Sequence, residues 1–97
     1  MVISKAYMIK DNKITLDQIE LLIEKSKKNG IKLGDKTTVL QLILPNGFAI
    51  TESSSCVDPA NYNQELGESI CIDRIKNKVW ELEGYVLQQK LYERDCL

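Results

Sequence analysis

The stretch Thr37–Leu44, followed by Pro45-Asn46-Gly47 and then Phe48–Ser53, constrains the fold of this chain more than any other. Two runs of β-branched and aliphatic residues around a turn signal read as a β-hairpin. Two registers compete. A two-residue Asn-Gly loop pairs Pro45 with Phe48 and Leu44 with Ala49. A three-residue Pro-Asn-Gly loop pairs Leu44 with Phe48, Leu42 with Ile50 and Leu40 with Glu52, and gathers Leu40, Leu42, Leu44, Phe48 and Ile50 on one face. It also gives Pro45 a favourable φ in a type I turn and puts Gly47 at the left-handed bulge position. A slip of one residue would send the apolar set to the wrong side, so the three-residue loop is expected. Val39 and Ile43 then point away from that face, which is either covered as well or meets another subunit.

Upstream, Thr15-Leu16-Asp17-Gln18 has the pattern of a capping box, and Ile14 and Ile19 sit at the spacing of a hydrophobic staple. Leu16, Ile19, Leu22 and Ile23 continue as an apolar stripe at helical period. The spacing predicts a helix over 15–28, ended by Asn29-Gly30. Downstream, Asp58-Pro59 reads as a helix start with Asp as cap and Pro in the first position. Tyr62, Leu66, Ile70, Val79, Leu82 and Val86 then recur at three- and four-residue steps or their sums, with Ile75 close to the same stripe. That pattern is one long helix or two consecutive helices, with Gly84 a plausible break because Gly costs about 1 kcal/mol against Ala inside a helix. Residues 93–97 are expected to fray. The fold class is α+β: an N-terminal helix, an antiparallel hairpin, then one long or two consecutive C-terminal helices packed on the sheet, in one domain spanning 1–97.

At 97 residues the chain is near the lower end of what one core holds together, and its 43% apolar content excludes general disorder. A partner subunit would add buried area, so a homo-oligomer is expected. Thirteen basic and fourteen acidic residues leave a net charge of −1, without the surplus that duplex DNA binding draws on. Lys25, Lys27, Lys28 and Lys32 cluster around one turn, and the simplest reading is that they favour the C-terminal end of the helix dipole. Residues 1–10 lack the apolar core of a signal peptide, and no run approaches a membrane span. A cytoplasmic protein is expected. Three cysteines without a C-x-x-C pair, and no histidine, argue against a metal site, and no cofactor is expected.

Catalytic equipment is sparse. Without histidine the usual base for a Ser or Cys nucleophile is missing. Cys56 precedes a helix start, a place that lowers a thiol pKa, but Asp58 opposes this, and a structural cysteine is the simpler reading. Glu65/Glu68 and Glu81/Glu83 look like solvated helical faces, and the five glycines make no phosphate loop. The chain is not expected to be an enzyme.

Several motifs fall in a fixed order: Asn46-Gly47-Phe48; Ser55-Cys56-Val57-Asp58-Pro59-x-Asn61-Tyr62; Glu65-x-Gly67; and Asn77-Lys78-x-Trp80-x-Leu82-Glu83-Gly84-Tyr85-x-Leu87. In these the chain resembles a family of small bacteriophage proteins, the phage gene-49/gene-66 family, most of whose members have no assigned activity. Many relatives carry Gly-Glu-Ser-x-Cys where this chain reads Thr51-Glu52-Ser53-Ser54-Ser55-Cys56, one residue longer between Glu and Cys. On and beside the family-like positions lie Asn61, Tyr62, Asn63, Arg74, Asn77, Lys78, Trp80, Glu83 and Tyr85, the candidate ligand-binding set. Aromatic faces stack on bases, amides read base edges, and Arg or Lys meet phosphate. The competing reading makes Trp80 and Tyr85 core aromatics and Asn61 or Asn63 helix caps. The viral context implied by the resemblance suggests a non-enzymatic counter-defence protein of the infected cell's cytoplasm, capturing a host nucleotide immune signal between subunits. The alternatives are a module that blocks or redirects a host protein and, third, nucleic-acid binding.

Overall fold

The computed structural model describes residues 12–96; the readings made for residues 1–10 and for Leu97 lie outside them. In chain order the elements are α1 (Leu16–Lys25), β1 (Lys27–Leu33), β2 (Thr37–Ile43), β3 (Ala49–Ser55), a 3₁₀ turn (Pro59–Asn61) and α2 (Gln64–Cys96). The three strands form one antiparallel sheet in the order β1-β2-β3, and both helices lie against one of its faces.

The β2–β3 hairpin has the three-residue loop. Leu42 pairs with Ile50 and Leu40 with Glu52, and the Leu44 amide donates to the Phe48 carbonyl at 2.8 Å. Gly47 takes φ 95°, which a side chain would oppose. Leu40, Leu42, Leu44 and Ile50 are buried on the helix-facing side, while Phe48, at the sheet's end, stays 52% exposed. With Ile19 and Ile23 of α1 and Cys71, Ile75 and Val79 of α2 they make the core. Val39 and Ile43 are half-buried on the opposite face, where Ile31 and Leu33 are exposed.

The capping box at Thr15 is formed: Thr15 Oγ1 accepts from the Gln18 amide at 3.2 Å and Gln18 Oε1 from the Thr15 amide at 2.8 Å. The helix stops three residues earlier than its sequence pattern suggested. Ser26 Oγ donates to the Leu22 carbonyl at 2.6 Å and Lys28 Nζ to the Ile23 carbonyl at 2.7 Å, so side chains satisfy the last-turn carbonyls. Asn29 and Gly30, expected to end the helix, lie in β1 instead. This third strand escaped the sequence reading because Lys27–Leu33 carries three lysines and no alternation. A lysine-rich edge strand discourages further strand pairing, and Gly30 lets Glu68 of α2 approach its backbone, where a Cβ would collide with the carboxylate.

α2 is one continuous helix through Gly84 and on to Cys96, so residues 93–96, expected to fray, are helical. Its buried stripe is Gly67, Cys71, Ile75 and Val79. The expected stripe shared only Val79 and the nearby Ile75 with it. Leu66, Leu82 and Val86 are exposed, because Gly67 and Cys71, too small to stand out in an apolar pattern, are the residues that allow close approach to the sheet.

Candidate functional site

Where β3 ends, the chain crosses to α2 through a short turn. Asp58 Oδ1 accepts from the Ala60 amide at 2.9 Å with Pro59 next to it, as the sequence suggested, but the helix there lasts only three residues. Tyr62 returns to extended backbone, and α2 begins afresh with Asn63 Oδ1 accepting from the Leu66 amide at 3.0 Å. This break sends the Tyr62 side chain onto β2. Its hydroxyl donates to Gln64 Oε1 at 3.0 Å, so the 2.9 Å contact with Thr38 Oγ1 is one the threonine donates. Gln64 Nε2 in turn donates to Glu68 Oε2 at 2.9 Å. Thr38 is 1% exposed, and a Cβ on Gly67 would collide with its side chain, so the glycine is what lets the helix close over this chain of bonds.

Around Tyr62 opens a cleft of about 80 Å³, lined on its polar side by Lys36, Ser54, Ser55, Asn61 and Asn63. No Asp or Glu is among its lining residues. Lys32 places its Nζ 4.7 Å from the Tyr62 ring centroid, a cation–π contact. Such a cleft offers cationic, hydroxyl and amide groups beside an aromatic ring. Its volume is far below the roughly 300–1,000 Å³ of pockets that engulf a whole drug-sized ligand, so it accommodates one group of a ligand.

The nine candidate residues divide into two sets. Asn61, Tyr62 and Asn63 converge on the cleft. The other six are strung along α2. Arg74 Nη1 donates to the Ser53 carbonyl at 2.6 Å, and Lys78 pairs with Glu52, so both tie α2 to β3. Asn77 is exposed; Trp80 is half-buried and packs against the core; Glu83 is half-buried; and Tyr85 is 71% exposed. From Gln64 to Tyr85 the helix rises about 30 Å, so no single small ligand touches both ends of the set. Lys32, Lys36, Thr38, Ser54 and Ser55 were missed as site residues. They come from β1, the following turn, β2 and β3, and only the sheet register brings them together.

A second, open groove of about 490 Å³ lies at the other end of the sheet, lined by Phe48, Ala49, Ile50, Thr51, Lys78, Glu81 and Leu82. It is larger, but its one cation is already paired with Glu52, and Glu81 adds an acid beside the apolar Phe48, Ile50 and Leu82. It therefore suits an apolar side chain better than a charged ligand. Between the two concavities Cys71 is buried. Burial pushes its thiol pKa up, Arg74 opposes this, and Glu52 and Glu68 add to it.

Fold and cleft together define a small α+β protein with a recess at a strand-to-helix junction that no carboxylate lines. Over residues 14–91 the chain matches the Phage protein (N4 Gp49/phage Sf6 gene 66) family, and it belongs to that family. No curated protein and no solved structure matches it. No described helix is long and apolar enough to cross a membrane.

Proposed function

We propose that this phage protein is a non-enzymatic counter-defence factor that binds and sequesters a host nucleotide-type immune signal in the cytoplasm of the infected cell. The observation that supports it best is the convergence of Asn61, Tyr62 and Asn63 with Lys36 on one cleft that no carboxylate lines. Amides and an aromatic ring beside ammonium groups suit an anionic heterocyclic ligand, and the chain brings no histidine to act as a base there. The cleft takes only part of a nucleotide, so in this reading a second subunit of a homo-oligomer covers the remainder. The test is thermal unfolding of the protein with saturating cyclic nucleotides and cyclic ADP-ribose isomers, followed by recovery of the ligand. Binding at about 100 times Kd adds about 2.7 kcal/mol, which raises the melting temperature by roughly 10 °C or more. The ligand returns unchanged. An unmoved melting temperature across the panel would count against sequestration, and a converted ligand against a non-enzymatic role.

A second reading rests on the groove formed by Phe48, Ile50 and Leu82 and on the exposed Tyr85 and Tyr92 further along α2. Exposed aromatics beside an apolar groove fit an interaction module that inhibits or redirects a host protein. Capture of one stoichiometric host protein, abolished by Phe48→Asp and unaffected by nucleotides, would favour it.

A further inference from the structure

We infer that the Tyr62 cleft is a phosphate pocket: it takes a phosphoryl group of the small-molecule ligand, held by Lys36 and the Ser54 hydroxyl, with Lys32 as a second cation nearby. This rests on the ligand-binding reading above and says which end of the ligand enters the cleft. Three independent features converge on it.

The first is charge. In a chain with one more acid than base, the residues lining this cleft include Lys36 and no acid. Two acids of the neighbouring segments are engaged elsewhere: Asp58 caps the Ala60 amide, and Glu68 accepts from Gln64. Lys36 itself makes only a 3.4 Å contact to the Val57 carbonyl, which an incoming anion readily replaces. The second is the direction of the hydrogen bonds. Tyr62 spends its proton on Gln64 and accepts from Thr38, so it presents a ring rather than a donor to the ligand. Ser54, paired with Thr38 and on its face of the sheet, turns its hydroxyl to the cleft, whereas the Ser55 hydroxyl meets that of Thr37 at 2.7 Å on the opposite face. Lys36 Nζ, the Ser54 hydroxyl and the Asn61 amide are the donors this lining offers to a phosphoryl oxygen. The third is size. A cleft of about 80 Å³ admits a phosphoryl group but not a base and ribose as well. The ring of Tyr62, with Lys32 over it, stands next to the cleft for the remainder of the ligand.

The measurement is a titration of the ¹⁵N-labelled full chain with methyl phosphate, with a nucleoside and with its monophosphate, followed by amide shifts. Methyl phosphate is expected to move Lys36, Ser54, Ser55 and Asn61 in one saturable transition. Lys36→Met should weaken it about tenfold or more, the scale of losing one charge-assisted bond. Lys36→Arg should restore most of the binding, and Lys78→Met, at the other end of the sheet, should leave it unchanged. Lys36 is exposed, so its variants fold; Ser54→Ala gives an independent reading through the hydroxyl on the cleft's face of the sheet. Shifts centred elsewhere, or equal affinity in Lys36→Met, would overturn the inference. Methyl phosphate binding in the cleft while every nucleotide signal fails would keep the pocket and sink the sequestration reading. Nucleotide binding indifferent to Lys36 would do the reverse.

Discussion

The two halves of α2 obey different rules although they are one helix. From Gln64 to Val79 it presents a small-residue stripe, Gly67-x-x-x-Cys71-x-x-x-Ile75-x-x-x-Val79, to the sheet, and all four residues are buried. From Trp80 to Cys96 none is buried, and the apolar residues Leu82, Tyr85, Val86, Leu87, Leu91 and Tyr92 are spread around the helix instead of forming one stripe. The first half is held by tertiary packing and carries the cleft at its start. The second half relies more on its own backbone and on whatever it meets. The Tyr62 cleft sits where the helix is tightest against the sheet, and there residues from β2, β3 and the start of α2 come within reach of one another.

The contrast is sharpest for the thiols. Cys96 is exposed and Cys71 is fully buried. A disulfide reagent should modify Cys96 at the rate of a free thiol and Cys71 at least about a thousandfold more slowly, since Cys71 must wait for α2 to open. The same burial gives a pH dependence. The folded-state pKa of Cys71 is raised, so its contribution to stability is complete below the unfolded thiol's pKa and is lost as pH rises through the folded one. Stability should therefore fall on the alkaline side, and Cys71→Ala should flatten that limb of a pH-dependent denaturant series. Comparable labelling of both thiols would show that the two halves are equally loose.

Packing provides the next test. Ile75 is 0% exposed, and Ile75→Ala should cost about 2–5 kcal/mol. Val86→Ala, in the outer half at 42% exposure, should cost less than about 1 kcal/mol. Urea midpoints measure both, and equal costs would erase the distinction. Gly67→Ala follows. Helix propensity favours alanine by about 1 kcal/mol, but its Cβ would run into Thr38, and overpacking costs about 1–3 kcal/mol. Destabilisation should win, together with shifted resonances for Tyr62. Tyr62→Phe removes the link between Thr38 and Gln64 and should cost about 1 kcal/mol.

How much of this the sequence carried depends on where each signal lies. The hairpin register was legible because turn chemistry and alternation agreed, and Leu44–Phe48 pairing followed from both. The α1 start was legible from Thr15 and Gln18, since a capping box is local. β1 was not: an edge strand with lysines on it takes its identity from its neighbour β2, and Asn29-Gly30 imitated a helix end. The face of α2 was misjudged because Gly67 and Cys71 contribute by being small. Of the candidate site, only Asn61–Asn63 was visible as a unit, being contiguous. Lys32, Lys36 and the Ser54–Ser55 pair are assembled by the sheet, and no spacing along the chain announces them.

The smallest effect is also the one of opposite sign. Gly84 sits in the outer half, in helical backbone, and a Cβ added there meets nothing within 4 Å. Nothing then opposes the smaller loss of backbone entropy on folding, and Gly84→Ala should stabilise by about 0.5–1 kcal/mol. The same substitution thus has opposite outcomes at two glycines of one helix, set by Thr38 against Gly67 and by open space beside Gly84. Both are read from denaturant midpoints at protein concentrations spanning about two decades. If Gly84→Ala instead destabilises, and does so only at high concentration, the glycine is a contact point for a second copy of the chain. Its outer half would then be an interface rather than a free extension, because mass action makes the cost of a blocked association concentration-dependent while a purely local helix effect is not.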